Sequence, residues 1–394
     1  MKIITAKVDA CAEKRIIADD MILTSNMPTA AGSRMLDGFM SLFDAEAVTR
    51  LKDAGYSVSM KADVGEFAVD LIGESSYNGA PVADGVLVNA ACEAVKGGDA
   101  VAAISLDVNG AIRRGAAQAG LVTIKPTYGT VSRYGTIPAA CSGECVSVTA
   151  GDVMTVSDVL SVIAGHDDKD GTSLPAEKCA AAGEIASPVK RIGVIKALCD
   201  GVDAGVQAKL DEFISKAEAA GIEVITIDGA ALTAARAAWN VLMSAEVCNN
   251  VSRYDGVKFG YRAQQFTNLD ELYTNSRTEA FGDVIKSVIL FGSETLSTDN
   301  YMKVYDKSLR VRRLICEIFG DIFADVDAVL MPAVGKAVYT EADVQADKYL
   351  AFTENMYTAP ASITGLPAVV AGGVQLVGPA LSDAALLDAV ARIG

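Results

Sequence analysis

The sequence contains one histidine, His166, and eight cysteines, the residue types that most often supply nucleophiles, bases and zinc ligands. None of the cysteines forms a C-x-x-C pair, and only Cys141 and Cys145 lie close together in sequence. A zinc site requires four nitrogen or sulfur ligands at recognisable spacing, so we expect no metal. A histidine-dependent triad is excluded as well unless His166 itself serves as the base.

The elements that would position a site are those of an α/β protein. The segment 191–227 alternates an apolar run, an amphipathic helical stretch and a second apolar run, which predicts a β-α-β unit with parallel strands. Helical apolar spacing appears again at 47–54, 153–164 and 300–323. The pattern predicts helices around a large mixed, mostly parallel sheet.

Composition narrows the class of protein further. Hydrophobic residues make up 51% of the 394 and charged residues 21%, which is typical of a packed globular protein. The net charge of −16 argues against direct binding of nucleic acid, which requires clustered Lys and Arg. No apolar run reaches the roughly 18 residues that span a bilayer, and residues 1–9 lack the pattern of a signal peptide. We therefore expect a cytoplasmic protein without membrane contact.

One stretch carries a specific resemblance. Residues 125–135 read KPTYGTVSRYG, residues 163–170 read IAGHDDKD, and residues 252–261 read SRYDGVKFGY. This set of motifs resembles the amidase-signature family, and in detail its branch of A subunits of tRNA-dependent amidotransferases. Shorter matches at 33–39 and 364–367 extend the likeness over nearly the whole chain.

The resemblance implies a fold and a chemistry. The fold would be a single α/β/α sandwich around a mixed sheet, covering residues 1–394 without the family's N-terminal helical region and C-terminal tail. The chemistry would be hydrolysis of glutamine by a serine, a cis-serine and a lysine, with backbone amides stabilising the oxyanion. In the family, the ammonia released is passed to a partner protein that amidates Glu-tRNA or Asp-tRNA.

All three catalytic positions are altered in this sequence. The family motif DTGGSIR corresponds to Asp107–Arg113 (DVNGAIR), which places Ala111 at the nucleophile and Asn109 at the first glycine. The cis-serine position falls on Leu87, where a glycine-rich loop has become an apolar run. The family's IKDNI corresponds to Ile17–Met21 (IADDM), which places Ala18 at the lysine.

An alternative is that other side chains of the chain supply the missing nucleophile and the missing lysine. Cys92, Ser105, Cys141 and Ser142 lie near the degenerate motifs, but none has an evident base in the sequence. Lys14 or Lys61 could substitute for the missing lysine.

The resemblance also implies a site for the amino-acid part of the substrate. Arg312 matches the arginine that would hold the glutamine carboxylate. The acidic residue expected before Pro360 is Asn355, with Glu354 beside it as a substitute.

These observations predict a catalytically inactive relative of these A subunits that acts as a binding or scaffolding protein. Its expected partners are a protein like the amidotransferase B or C subunits, or a second copy of the chain, and no cofactor is expected. The alternatives are an amidase or glutaminase of the A-subunit type with relocated catalytic residues, and an amino-acid sensor. In coupled catalytic groups, loss of the nucleophile alone removes most of the rate, which favours the inactive relative.

Overall fold

The fold was analysed in a computed structural model that describes residues 4–8 and 14–394. Residues 1–3 and 9 of the segment considered as a signal peptide, and Cys11, lie outside the described residues. Within the described ranges, no helix is both long and apolar enough to cross a membrane.

The strands of the described residues alternate with helices along the chain. The strands are β1 (Ile4–Lys7), β2 (Arg15–Asp19), β3 (Ser57–Ala62), β4 (Val82–Ala83), β5 (Val86–Leu87), β6 (Ala102–Asp107), β7 (Val122–Lys125), β8 (Cys145–Ala150), β9 (Arg191–Ile195), β10 (Glu223–Ile227), β11 (Ala328–Pro332), β12 (Ala368–Ala371) and β13 (Val374–Val377). The helices are α1 (Glu46–Asp53), α2 (Ala90–Lys96), α3 (Ala111–Ala119), α4 (Val153–Ile163), α5 (Ala176–Ala182), α6 (Lys196–Cys199), α7 (Ala204–Ala219), α8 (Ala234–Val251), α9 (Leu269–Ala280), α10 (Asp283–Thr295), α11 (Asp306–Asp325), α12 (Glu341–Ala346), α13 (Leu350–Thr353), α14 (Ala359–Thr364) and α15 (Asp383–Ile393).

Eleven of the strands form one sheet, in the order β1-β3-β2-β6-β8-β7-β12-β13-β11-β9-β10. Parallel pairs join β3, β2 and β6 on one side and β11, β9 and β10 on the other. Antiparallel pairs connect these two groups through β8, β7, β12 and β13. The predicted fold class, an α/β sandwich of helices around a large mixed sheet, is confirmed.

The predicted β-α-β unit is present as β9, α7 and β10, and its two strands are parallel. The helix predicted at 300–323 begins with a π-helical turn at Tyr301–Tyr305 and continues directly as α11. Strand β8 had no separate prediction. All six of its residues are buried, so it lacks the apolar and polar alternation that marks a half-exposed strand.

The motif at 125–135 holds parts of the fold together. The backbone amide and hydroxyl of Thr127 both donate to the buried carboxylate of Asp383 at the start of α15, at 2.7 and 2.5 Å. The guanidinium of Arg133 donates to Glu144 Oε1 at 2.9 Å and lies 3.7 Å from Asp170 Oδ1. These residues therefore have structural roles that are independent of catalysis.

Candidate active site

The turn between β6 and α3 is where the resemblance places the nucleophile. Asp107 ends β6, Gly110 is the N-cap of α3, and Ala111 is the first residue of the helix. Gly110 has φ of 97°, in the left-handed region that glycine tolerates, and a Cβ there would collide with Thr358. Amide groups in the first turn of a helix have no intrahelical acceptors. The turn therefore still presents donors, but beside a methyl group in place of a hydroxyl.

A buried ion pair fixes this turn. Arg113 donates through Nε to Asp107 Oδ2 at 2.7 Å and through Nη2 to Asp107 Oδ1 at 3.2 Å, and both side chains are fully buried. The same guanidinium donates to Ser362 Oγ at 2.7 Å, Gln375 Oε1 at 2.9 Å and the Thr358 carbonyl at 3.0 Å. The Asp107 carboxylate thus balances the charge of the guanidinium. The other hydrogen bonds of Arg113 connect the turn to α14 and β13.

A small cavity lies in front of Ala111. It is lined by Asp19, Asp63, Val64, Gly65, Ala68, Leu71, Ile72, Gly73, Pro81, Val88, Asn89, Ala90, Ala91, Ser105, Leu106, Ala111, Ile112 and Arg114. Its volume of about 30 Å³ is room for about two water molecules. A glutamine side chain with its amino and carboxyl groups does not fit in this space.

Ala18 is not a cavity residue, whereas its neighbour Asp19 is. Ala18 pairs with Lys61 of β3 and Ile104 of β6. Successive residues of a strand point to opposite faces of the sheet. Asp19 and Ser105 therefore lie on the cavity face, and Ala18, which is fully buried, lies on the other.

The Asp19 carboxylate is held firmly at the cavity wall. Its Oδ1 accepts a hydrogen bond from the Met21 amide at 3.0 Å, and its Oδ2 accepts one from the Leu106 amide at 2.7 Å. Burial raises the pKa of Asp19 to about 6, because water no longer solvates the charged form. An acid thus stands close to the position where the family chemistry requires a basic amine.

Neither alternative lysine supplies that amine. The Lys61 ammonium donates to Thr29 Oγ1 at 3.0 Å and to the carbonyls of Asp19 and Ile22, and it is not part of the cavity lining. Burial lowers the pKa of Lys61 to about 8. Lys14 is exposed, and its ammonium lies 5.1 Å from the centre of the Tyr56 ring.

Leu87, at the expected cis-serine position, belongs to a short hairpin formed by β4 and β5. Its side chain is fully buried and packs with Ile72 and Tyr339 in a small apolar cluster. Its amide donates to the Tyr339 carbonyl at 2.7 Å, and its carbonyl accepts from Gln118 Nε2 at 2.9 Å. Leu87 itself is not a cavity residue, although Val88 immediately after it is.

An amide cluster occupies the expected substrate side of the turn. The side chain of Asn355 donates through Nδ2 to Asn109 Oδ1 at 2.8 Å and to Asn240 Oδ1 at 2.7 Å. Asn109 Oδ1 also accepts from Trp239 Nε1 at 3.1 Å, and Asn109 Nδ2 donates to the Val69 carbonyl at 3.0 Å. Asn109 and Asn355 are completely buried. The side chain at the position of a family glycine therefore contacts the residue at the position where the resemblance expects a substrate-binding acid.

The other two predicted substrate-binding residues point elsewhere. Glu354 Oε1 accepts from the Gly335 amide at 2.6 Å, and burial raises the pKa of this carboxyl. Arg312, on α11, donates through Nη2 to the Ser142 carbonyl at 3.2 Å. None of Arg312, Glu354 and Asn355 lines the cavity beside Ala111. The structure therefore does not bring the three together around one ligand site.

Of the four alternative nucleophiles, Ser105 alone lines the cavity. Its Oγ is buried without a hydrogen-bond partner, as is the Oγ of Ser142. Cys92 is fully buried, and burial raises its pKa to about 12, which keeps it a thiol. The Cys141 sulfur accepts from Asn250 Nδ2 at 3.5 Å away from the cavity.

The remaining candidates for acid–base or metal chemistry lie elsewhere. His166 Nε2 lies 3.0 Å from Asp168 Oδ1 at the surface and does not line the cavity. Within residues 4–8 and 14–394, no group of three or more His, Cys, Asp or Glu side chains is arranged to hold a metal ion.

The amide cluster could not be predicted from the sequence. Asn109, Trp239, Asn240 and Asn355 are separated by up to 246 residues, and only the tertiary fold brings them together. The one local signal was Asn109, whose side chain stands where the family motif has glycine.

Comparison with known proteins gives the family. The family model described as Amidase matches residues 90–387. The A subunit of the glutamyl-tRNA(Gln) amidotransferase of Symbiobacterium thermophilum is 36% identical, over 95% of this chain and 80% of that protein. The protein of the same name from Acinetobacter baumannii is 35% identical, over 94% and 80%.

Solved structures show the same fold. The crystal structure of the glutamyl-tRNA(Gln) amidotransferase A subunit from Thermotoga maritima superposes with a TM-score of 0.79 at 24% identity, covering 98% of this chain and 85% of that one. The K. lactis urea amidolyase superposes with a TM-score of 0.79 at 20% identity, covering 96% of this chain and 23% of that one. From the family match and the identity to the curated relatives, the chain belongs to the amidase family and is similar to the A subunit of glutamyl-tRNA(Gln) amidotransferase over almost its whole length.

Proposed function

We propose that this chain is a non-catalytic member of the family, a binding or scaffolding protein that works in the cytoplasm and hydrolyses no glutamine. The observation that carries the proposal is the state of the β6–α3 turn. Ala111 presents a methyl group at the nucleophile position, and the Asn109 side chain is bonded to Asn355 where the substrate would lie.

The charge at the expected lysine position supports the same conclusion. The cavity residue at this point of β2 is Asp19, so we place the family's lysine position at Asp19 instead of Ala18. A carboxylate with a pKa near 6 can accept a proton, but Ser105 Oγ, the hydroxyl that lines the same cavity, has no hydrogen bond to it. The family chemistry passes a proton from one serine through a second serine to an amine. The residues at these three positions, Ala111, Leu87 and Asp19, cannot carry out that transfer.

A relocated amidase is the competing function, and Ser105 is the residue that favours it. Its hydroxyl lines the same cavity as Asp19 and is not engaged by other groups. However, among the described residues no base lies within hydrogen-bond distance of Ser105 Oγ, so nothing raises its nucleophilicity. Ammonia release from glutamine by the natural chain and by a Ser105→Ala variant distinguishes the two functions.

An amino-acid sensor is the third function considered. It requires a carboxylate-binding arginine and an amine-binding acid around one space, and Arg312 and Glu354 make separate contacts. Thermal unfolding with and without millimolar glutamine tests it, because a ligand that binds only the folded chain raises Tm. We expect no shift.

The proposed binding role depends on the surface of the chain. One loop carries several exposed apolar side chains close together in sequence, where Leu42 is 98% exposed, Met40 47% and Phe43 43%. Such a group of apolar residues on a protein surface is typical of an interface. A protein like the amidotransferase B subunit is the expected partner, with a protein like the C subunit or a second copy of this chain as the other possibilities.

The binding proposal is tested by size-exclusion chromatography of the purified chain with the B-subunit-like protein of the same organism. We expect a stable complex that Leu42→Asp weakens, whereas Leu290→Asp, which changes an equally apolar residue that is 72% exposed on α10, leaves it intact. Components that elute separately at micromolar concentrations contradict the proposal.

A further inference from the structure

A second, larger groove lies next to the amide cluster, since Asn240 belongs to both. The groove shares no lining residue with the cavity at Ala111. It is formed by α8, α10 and the segment around α13, and its volume is about 590 Å³. Pockets that bind small molecules have volumes of roughly 300–1,000 Å³ and mostly apolar walls. The lining residues are Arg236, Ala237, Asn240, Val241, Ser244, Ser287, Val288, Phe291, Tyr349, Phe352 and Thr353.

The polar side chains along the groove are mostly engaged within the protein. Asn240 Nδ2 donates to the Phe352 carbonyl at 2.9 Å, and its Oδ1 accepts from Asn355. Ser287 Oγ donates to the Asp283 carbonyl at 2.9 Å. A ligand in the groove would therefore contact mainly the carbon atoms of these polar side chains and the neighbouring apolar side chains.

Arg236 differs from the other lining residues. The residue is half-buried and lines the groove, and within the described part of the chain its guanidinium has neither an ion-pair partner nor a hydrogen bond. In a chain of net charge −16, an uncompensated cation beside apolar walls is a specific feature. A guanidinium at such a position binds a carboxylate in preference to a neutral group.

The groove is elongated, with Arg236 at one end and Ser244 at the other, apolar end. Arg236 and Ser244 are eight residues apart on α8, which corresponds to about 12 Å along the helix axis. Near Ser244 the groove is narrow, because α10 approaches α8 so closely that Gly292 has no room for a side chain beside the Ser244 carbonyl. At the groove, Phe291 is 46% exposed and Tyr349 72% exposed, so both rings have surface to cover a ligand.

We propose that this groove binds an amphipathic monocarboxylate, whose carboxylate pairs with Arg236 and whose alkyl chain lies between α8, α10 and Phe352. The length of the groove suits a medium-chain alkanoate, with the chain directed along α8 towards Ser244. The proposal concerns a site distinct from the degenerate active site and does not depend on the absence of glutamine hydrolysis.

Decanoate and decanol are the probes that test the proposal, because they share an alkyl chain and differ in charge. Binding to the purified full-length chain is measured by isothermal titration calorimetry below the micellar range. The fluorescence of Trp239, the only tryptophan and the neighbour of Asn240 on α8, gives a second readout. We expect saturable binding of one decanoate per chain and binding of decanol that is about tenfold weaker or more, since a charged hydrogen bond is lost.

Two variants with matched controls complete the test. Arg236→Gln should weaken decanoate binding about tenfold and make it equal to that of decanol, whereas Arg262→Gln, which changes an exposed arginine elsewhere, should have no effect. Phe291→Ala should weaken both probes, whereas Phe259→Ala, which changes a residue that is 58% exposed, should weaken neither. Unchanged near-ultraviolet circular dichroism shows that each variant is folded. Absence of decanoate binding, equal binding of decanol to the natural chain, or an equal effect of Arg262→Gln overturns the proposal.

Discussion

The side-chain amide of Asn355 donates to Asn109 Oδ1 at 2.8 Å, although the two residues are 246 positions apart. Asn109 stands where the family motif has a glycine, and Asn355 stands where the resemblance expects a substrate-binding acid. The resemblance expects both positions to contact glutamine or its transition state. In this chain the two side chains are hydrogen-bonded to each other. The contact engages Asn109 Oδ1 and Asn355 Nδ2, whereas Asn355 Oδ1 is buried without a hydrogen-bond partner.

If this contact stabilises the fold, Asn109→Ala should lower the free energy of unfolding by about 1–3 kcal/mol, because the Trp239 indole N–H and the Asn355 amide lose their common acceptor in a buried site. Urea unfolding followed by circular dichroism measures the change. Asn275→Ala is the control, since Asn275 makes a single exposed hydrogen bond to the Gln265 carbonyl. A loss for Asn109→Ala no larger than that of the control would show that the cluster contributes no stability.

The ion pair of Arg113 and Asp107 should have a much larger effect than an exposed one. Arg113→Met leaves the Asp107 carboxylate buried without its partner, and we expect a loss of about 3–5 kcal/mol in the free energy of unfolding. Arg313→Met removes the exposed pair with Glu317 on α11 and should cost less than about 1 kcal/mol. Chemical denaturation of both variants provides the comparison, and similar losses would contradict the assigned role of Arg113 at the β6–α3 turn.

Buried acidic groups, Asp19 at the cavity among them, should make the chain more stable at mildly acid pH than at neutral pH. Burial raises the pKa of Asp19 from 3.8 to about 6, so between these values the folded chain keeps a proton that the unfolded chain has released. Stability from this group is therefore present at low pH and is lost as pH rises towards 6, by at most about 1.4 kcal/mol per pH unit. Asp20 and Glu66, with pKa values of about 7, act in the same direction.

The contribution of Asp19 is isolated by comparing the natural chain with Asp19→Asn in urea unfolding at several values between about pH 4 and pH 7. The variant should show a shallower fall in stability with rising pH, because the substituted amide does not titrate. Parallel curves for the two chains would mean that Asp19 is ionised in the folded state throughout this range.

Much of the fold was predictable, because long amphipathic helices and the β9–α7–β10 unit follow from local patterns. The site was less so. A shift of one residue along β2 exchanges the two faces of the sheet, and the motif alone did not distinguish Ala18 from Asp19. The pairing of Asn109 with Asn355 depends on contacts between distant segments, and no local pattern encodes it.

The most direct test of the central claim is ammonia release from glutamine by the purified natural chain, beside a variant in which Asp19→Lys, Leu87→Ser, Asn109→Gly and Ala111→Ser restore the family groups. A matched variant carries Ala18→Lys in place of Asp19→Lys, because the strand register assigns only position 19 to the cavity. We predict no release above background from the natural chain, and any gain should appear in the variant with lysine at position 19. Robust release from the natural chain that is lost in Ser105→Ala would contradict the proposal and identify a relocated nucleophile.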